Sequence, residues 1–176
     1  AAKLALGYGL PELTNKVTGV TRACFEPSLD YLVIKMPRWD LAKFRGVDET
    51  IGTGMKSVGE VMGIGRTFEE AYQKALRMLE QNFEGATPPD NFFASQEEAE
   101  YYLATPTPKR VFAIARALQA GYPLEKIHDI TGIDLWFLRR IQNIIDFENA
   151  IQTHDTLDTV TANELREIKQ LGISDK

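Results

Sequence analysis

The residues whose types and spacing could bind a ligand or take part in a reaction lie in one short stretch, Gly54 to Arg66. Its opening, Gly54-Met55-Lys56-Ser57, has part of the pattern of a phosphate-binding loop, but Met55 stands where that motif requires a second glycine. Gly52-x-Gly54 is followed by Gly59, which is not the spacing of a dinucleotide-binding fingerprint. The glycines are therefore interpreted as points where a bent strand approaches other protein groups closely.

Glu60 is the ionisable residue of this stretch that requires an explanation. It lies between Gly59 and Val61 in an apolar, glycine-spaced run, where a carboxylate is costly to bury unless it is paired or hydrated. We expect it to face either a basic partner, such as Arg66 or a neighbouring lysine, or a water-lined cavity.

The other reactive side chains are isolated in the sequence. His128 and His154 lie on predicted helices without a visible acid, base or metal partner, so we interpret both as structural or surface residues. Cys24 is the single cysteine, which excludes an internal disulfide, and nothing resembles a Cys/His zinc cluster. We expect Cys24 to be a small buried or half-buried side chain rather than a nucleophile.

A strand and a helix must position Glu60. The apolar run from Val58 to Ile64 predicts the strand, and Thr67 with Glu70 has the spacing of a capping box that starts the helix. Apolar residues recur at three- and four-residue spacing on one face of this helix: Phe68, Ala71, Tyr72, Ala75, Leu76 and Leu79. An earlier strand is predicted over Leu29–Met36, ending at Pro37, with one helical turn capped by Asp40 after it. We expect the two strands to pair antiparallel.

Adjacent prolines in Gly85–Asn91 predict a linker, because proline disrupts helices and cannot donate to a β-ladder. Helical signals follow it: Ser95 with Glu98 as a second capping box, a start at Thr107-Pro108, a break at Gly121 and Pro123, a cap at Asp134, and a last helix from Thr161 to Gly172. The helix after Asp134 has apolar residues on more than one face, including Trp136 and Phe137, which predicts the centre of a small bundle.

Charge is unevenly placed along the 176 residues. Residues 1–84 carry 11 Lys/Arg and 11 Asp/Glu, whereas residues 85–176 carry 9 and 14 and account for the net charge of −5. Nucleic-acid binding is disfavoured because it requires a basic face. The segment Leu124–Phe147 has the outline of a helix-turn-helix, but its second helix opens with Asp134 and aromatic residues that favour a core.

The sequence also bears on location and completeness. We expect neither a membrane span nor a secretory signal, and hence a cytoplasmic location, because no run of about 18 apolar residues and no basic-then-apolar leader occurs. The opening Ala1–Gly7 reads as the end of a helix without a cap, and Ile173–Lys176 as the start of another element. Both ends are expected of a piece excised from a longer polypeptide.

Three blocks of sequence, in order, resemble one known family. The blocks are Phe25–Tyr31 with Lys35–Trp39, then Met55–Glu70 with Gln73–Arg77, then Ile133-Asp134-Leu135-Trp136-Phe137-Leu138. They resemble the large subunit of carbamoyl-phosphate synthetase over nearly the whole chain. The resemblance implies an α+β piece at 1–84, which is the C-terminal segment of the first ATP-grasp domain, a linker at 85–92, and an all-α oligomerisation domain at 93–176.

The family makes carbamoyl phosphate from bicarbonate, glutamine-derived ammonia and two ATP, with Mg or Mn and K. Its nucleotide-clamping arginines, lid and Glu-x-Asn metal motif correspond to sequence upstream of Ala1. The resemblance therefore implies an ATP-dependent carbon–nitrogen ligase as parent, and a fragment that is inactive alone and contains no catalytic, cofactor-binding or metal-binding residue. Implied partners are the remainder of the large subunit, a glutaminase small subunit and further copies of the chain, but neither nucleic acid nor membrane.

In this family the glutamate matching Glu60 lies along the internal passage that carries carbamate from the first active site to the second. The positions matching Met55 and Ser57 lie nearby, so these three residues are tunnel-lining candidates. Two hypotheses remain: a structural segment of the synthetase that links its two halves and joins subunits, or a free-standing, non-catalytic interaction protein. Neither the residues nor the resemblance indicates whether a parent serves pyrimidine or arginine supply.

Overall fold

The computed structural model describes residues 1–152 and 159–175, so His154 lies outside the described residues. The chain divides into two compact units, residues 1–30 and 31–176. The first contains helix α1 (Ala2–Ala5), a 3-10 turn at Leu10–Glu12 and an isolated antiparallel bridge from Thr14 to Arg22. None of its residues is buried. The expectation that Cys24 is buried or half-buried is therefore wrong, because this unit has no closed core to receive the thiol.

The second unit contains a two-stranded sheet and, in its described part, six helices. They are β1 (Leu32–Arg38), β2 (Gly59–Gly65), α2 (Phe68–Met78), α3 (Gln96–Ala104), α4 (Arg110–Gln119), α5 (Leu124–Thr131), α6 (Leu135–Ile151) and α7 (Ala162–Gln170). The described part of the chain is thus α+β, with seven helices and one antiparallel sheet.

The sheet confirms the predicted antiparallel pairing, with Leu32 opposite Gly65 and Arg38 opposite Gly59. Strand β1 begins later than predicted and continues through Pro37 instead of ending there. Proline cannot donate to a ladder, but in a two-stranded sheet each strand has a free edge, where a missing N–H costs nothing. The predicted end of the strand was wrong for that reason.

Helix α2 packs against one face of the sheet at very short range. Gly63 and Gly65 of β2 are buried, and a Cβ atom built on Gly63 would lie 2.2 Å from the carbonyl oxygen of Ala71 and 2.8 Å from the backbone nitrogen of Ala75. The predicted apolar face of α2 is confirmed: Ala71, Tyr72, Ala75, Leu76 and Leu79 are all buried. The glycines of β2 therefore serve close approach to a helix, as the sequence indicates.

Helix α6 occupies the centre of the helical elements, packing against α2, α4 and α5. A single hydrophobic cluster runs from β1 and α2 through α3, α4 and α5 into α6, where it includes Leu138, Ile141, Ile144 and Ile145. Trp136 and Phe137 were expected to favour a core, but they remain 45% and 46% exposed. Both lie on the first turn of α6 and cover Phe68 at ring-centroid distances of 5.5 and 5.8 Å.

Four helices, α2, α3, α6 and α7, start at the predicted caps, with two differences in detail. Thr67 and Ser95 accept hydrogen bonds from the amides of Glu70 and Glu98, but each glutamate accepts from the amide one residue before the cap, Arg66 and Ala94 respectively. At Thr161 and Glu164 the capping box is reciprocal, as predicted. Asp134 caps α6 by accepting from the amide of Trp136 at 2.8 Å.

The predicted start of a helix at Thr107-Pro108 is wrong by two residues, because α4 begins at Arg110. The preceding turn closes with a hydrogen bond from the amide of Arg110 to the carbonyl of Thr107, an i→i+3 bond rather than an α-helical one. Asp40 precedes a 3-10 turn at Leu41–Lys43 without capping it by its side chain, which instead bonds the ammonium of Lys43.

Substituting Gly63→Ala should destabilise the fold by about 2–3 kcal/mol, because the added methyl group cannot fit between β2 and α2. Gly59→Ala on the same strand is the matched control, since a Cβ atom there meets nothing within 4 Å. We expect the control to leave stability unchanged or to raise it by less than about 1 kcal/mol, because alanine restricts the unfolded chain more than glycine does. Chemical denaturation of the three proteins measures the difference, and equal midpoints for Gly63→Ala and the unmodified chain would contradict the packing described.

Candidate functional site

The three residues singled out by the sequence lie on one loop and the strand that follows it. Met55 is 92% exposed on the loop before β2, Ser57 is half-buried at the end of that loop, and Glu60 is the second residue of β2. The structure therefore places them in succession along the chain, on the loop and at the start of the strand. Their proposed role along a passage stays a prediction.

Glu60 lies on the face of the sheet that points away from α2. Its carboxylate forms an ion pair with the ammonium of Lys35 on β1 at 2.8 Å, with both side chains about half exposed. Of the two surroundings considered for Glu60, this is the basic partner, and the partner is a neighbouring lysine rather than Arg66. An exposed pair of this kind contributes about 0–1 kcal/mol, so it does little to stabilise the strand.

The same face of the sheet carries exposed apolar side chains. Val33 and Ile64 stand opposite each other in the register, and Met62 stands opposite Lys35. All three apolar residues are exposed, while Ile34 and Val61 on the other face pack against the core. The sheet thus presents an apolar surface around one ion pair.

A polar seam joins α2 to α6 and to the segment between them. Gln73 is 1% exposed: its carbonyl oxygen accepts from the amide of Ala86 at 2.7 Å, and its amide nitrogen donates to Glu148 at 3.3 Å. Thr87 donates its hydroxyl to the other oxygen of Glu148. Burial raises the pKa of the Glu148 carboxyl, although the hydrogen bonds from Thr87 and Gln73 act in the opposite direction.

A second contact of the seam surrounds Glu69, which is 3% exposed at the start of α2. One carboxylate oxygen accepts from the side-chain amide of Asn143 at 2.8 Å and lies 3.5 Å from the guanidinium of Arg140. That guanidinium also lies over the ring of Trp136, 5.0 Å from its centroid. The charge of a nearly buried carboxylate is thereby compensated from α6.

A cavity of about 560 Å³ opens between the start of α2, α6 and α7. Its lining combines Glu69, Asp146 and Glu167 with one cation, Arg140, and with apolar side chains such as Phe147. Within residues 1–152 and 159–175, no group of three or more His, Cys, Asp or Glu side chains has the arrangement of a metal site. Among the same residues no helix is both long and apolar enough to cross a membrane.

Comparison with known proteins identifies the family of the chain. A family model described as "Carbamoyl-phosphate synthetase large chain, oligomerisation domain" matches residues 60–176, which include β2 from its second residue and the six described helices of the second unit. The chain belongs to this family. The resemblance seen in the sequence is confirmed, and the matched region begins at Glu60 itself.

Relatives of the family align with the chain from end to end. The multifunctional protein CAD of Squalus acanthias is 50% identical, the ammonia-type carbamoyl-phosphate synthase of Aquarana catesbeiana, named as mitochondrial, is 48% identical, and the arginine-specific large chain of Neurospora crassa, also named as mitochondrial, is 47% identical. Each alignment covers 100% of this chain, but the chain spans 8%, 12% and 15% of these relatives respectively.

The polar seam is the feature that sequence reasoning missed. Glu69 and Gln73 are four residues apart on α2, at the margin of the predicted apolar face, and polar residues there are usually solvated. Their partners Asn143 and Glu148 lie more than 70 positions away along the chain. A signal did exist, because Glu148 falls within a helix whose apolar residues lie on more than one face and which the sequence predicts to be central.

Substituting Glu148→Gln should change how stability depends on pH. The folded-state pKa of Glu148 is raised above the ordinary value of 4.5, so its favourable contribution is complete below that pH and is lost as pH rises through the folded-state pKa. The unfolding free energy of the unmodified chain should therefore fall relative to that of Glu148→Gln as pH rises from about 4.5 through the folded-state pKa.

Denaturation at several pH values checks this expectation, with the exposed Glu125→Gln as matched control. The control removes one carboxylate and leaves the contacts of Glu148 in place. A difference between the unmodified chain and Glu148→Gln that stays constant over the same pH range would show that burial does not raise the pKa of this carboxyl.

Proposed function

We propose that the chain is the segment of a carbamoyl-phosphate synthetase large chain that joins the end of the first ATP-grasp half to the helical oligomerisation domain, and that its own role is structural. The observation that carries this proposal is the position of α2. The helix packs against the sheet on one side and bonds to α6 on the other, so it mechanically connects the two kinds of structure.

The domain limits belong to the same proposal: residues 1–84 as the C-terminal segment of the first ATP-grasp domain, 85–92 as a linker, and 93–176 as the oligomerisation domain. The exposed apolar face formed by Val33, Met62 and Ile64 supports it, as do the free edges of a two-stranded sheet. In a full large chain, further strands and helices would cover this face and these edges.

We also propose that Met55, Ser57 and Glu60 line the passage for carbamate in the assembled enzyme. Met55 and Ser57 lie on the loop before β2, and Glu60, the second residue of the strand, pairs with Lys35 on the exposed face of the sheet. Because both side chains of this ion pair are half exposed, they can bind water and would form a polar, hydrated part of the passage lining once the face is covered.

The names of the relatives support a proposal for the activity of the whole protein. The parent would be an ATP-dependent carbon–nitrogen ligase that makes carbamoyl phosphate from bicarbonate, glutamine-derived ammonia and two ATP, with Mg or Mn and K. Its partners would be the remainder of the large subunit, a glutaminase small subunit and further copies of the chain. The cytoplasmic location stays a prediction beside relatives that are named as mitochondrial.

The chain by itself should not hydrolyse ATP in a bicarbonate-dependent manner. We expect phosphate release in the presence of ATP, Mg and bicarbonate to equal that of a heat-denatured sample. Bicarbonate-dependent turnover above that level would overturn the structural role and would require catalytic groups within residues 1–176. It would also disfavour the alternative, a free-standing interaction protein without activity.

The chain should self-associate through its helical part rather than through the exposed sheet face. Sedimentation over a range of concentrations checks this with the double variant Met62→Lys and Ile64→Lys, which makes the apolar face of the sheet polar. Val17→Lys, at an exposed apolar position in residues 1–30, is the matched control. We expect all three proteins to associate equally, whereas loss of association in the double variant alone would assign the contact to the sheet face.

A further inference from the structure

The conformation of the loop that contains Met55 depends little on buried apolar side chains. Between Phe44 and Val58 the chain forms neither helix nor strand, and the side chains of Phe44, Val47 and Met55 are exposed. Apolar packing therefore contributes little to its conformation. Some other interaction must hold the backbone in place.

Lys56 supplies that interaction. Its ammonium donates to the carbonyl oxygen of Asp48 at 2.8 Å and to that of Thr50 at 2.6 Å, and lies 3.5 Å from the carboxylate of Asp48. Because an ammonium has three donors, these acceptors can engage all of them. The lysine side chain is 28% exposed, which is low for a lysine on a surface loop.

The groups around Lys56 are themselves fixed. The carboxylate of Asp48 accepts from the amide of Thr50 at 2.9 Å, a hydrogen bond that lowers the pKa of Asp48 and keeps it ionised. The amide of Ile51 donates to the carbonyl of Pro106 at 2.6 Å, and that of Val58 to Arg38 at 2.9 Å. Residues 48–56, here called the Lys56 loop, are thus closed by Lys56 and anchored to neighbouring segments.

We infer that Lys56 is a positioning residue, which closes the Lys56 loop and so fixes where Met55 projects. Met55 is the neighbour of Lys56 and makes little contact of its own, so its location follows from that of the loop backbone. Ser57 and the start of β2 follow directly. The importance of this for carbamate transfer rests on the proposed function of Met55, Ser57 and Glu60.

Hydrogen exchange of the whole chain tests the closure of the loop. Lys56→Met keeps the length of the side chain but removes its donors, and should accelerate exchange at the amides of Thr50 and Ile51 by about tenfold or more. Exchange at amides of α2 should not change. Lys16→Met, at an exposed lysine in residues 1–30, controls for the loss of one positive charge. Unchanged exchange at both loop amides would overturn the inference.

Rescue distinguishes positioning from a general loss of stability. Lys56→Arg retains the charge and several donors, so it should restore most of the protection at Thr50 and Ile51. A Lys56→Met variant that accelerates exchange in the loop and in α2 alike would show that Lys56 stabilises the whole fold rather than this loop, and would also overturn the inference.

A second measurement separates the inference from the function on which it rests. In the full large chain with its glutaminase partner, the ratio of ATP consumed to carbamoyl phosphate formed reports intermediates lost before the second active site. A loosened loop with a raised ratio supports both the positioning role and the passage. A loosened loop with an unchanged ratio supports the positioning role and overturns the passage proposed for Met55, Ser57 and Glu60.

Discussion

Helix α2 is packed on two nearly opposite faces by groups of different chemistry, and this double packing joins the sheet and the helical elements into one core. Glu69 precedes Ala71 by two residues, and Gln73 precedes Ala75 by two. This spacing places the polar pair and the alanine pair on opposite sides of a helix. The alanine face meets the glycines of β2 without space for a methyl group, and the other face meets α6 through partly buried hydrogen bonds.

The two contacts differ in what they specify. Close packing of alanine on glycine sets the distance between helix and sheet and gains dispersion energy from many atoms. The hydrogen-bonded contact contributes less net free energy but strongly penalises a shift of register, because each displaced partner would leave a buried polar group unpaired. The sheet side therefore provides cohesion, and the α6 side provides a unique alignment.

Local patterns predicted most of this fold. Strand pairing, the apolar face of α2 and the caps at Thr67, Asp134 and Thr161 follow from residues within a few positions of one another. In the first two capping boxes, the predicted donor to the glutamate was wrong by one residue: Glu70 and Glu98 accept from the amides of Arg66 and Ala94. A glutamate four positions downstream of an amide can reach it as readily as one three positions downstream. Of the candidate site, the sequence indicated the loop and strand, and left open whether Glu60 meets a cation or a cavity.

Long-range pairs set the limit of such prediction. No residue near Glu148 or Gln73 in the sequence indicates that these two side chains form a hydrogen bond. The acceptors of Lys56 are backbone carbonyl groups, which every residue has, so the sequence does not single them out. Trp136 and Phe137 show a related difficulty: their composition favours a core, yet they lie at its margin, covering Phe68 and leaving almost half of each side chain exposed.

The polar seam has a consequence for chimeras between relatives of this family. A junction placed at the proline pair Pro88-Pro89 would take Gln73 and Thr87 from one parent and Glu148 from the other, and the buried carboxylate would depend on matching donors across the joint. A junction before β1 inherits the sheet, α2 and α6 together. Exchange of this module between large chains should therefore succeed at the earlier position, although the prolines mark the more obvious boundary in the sequence.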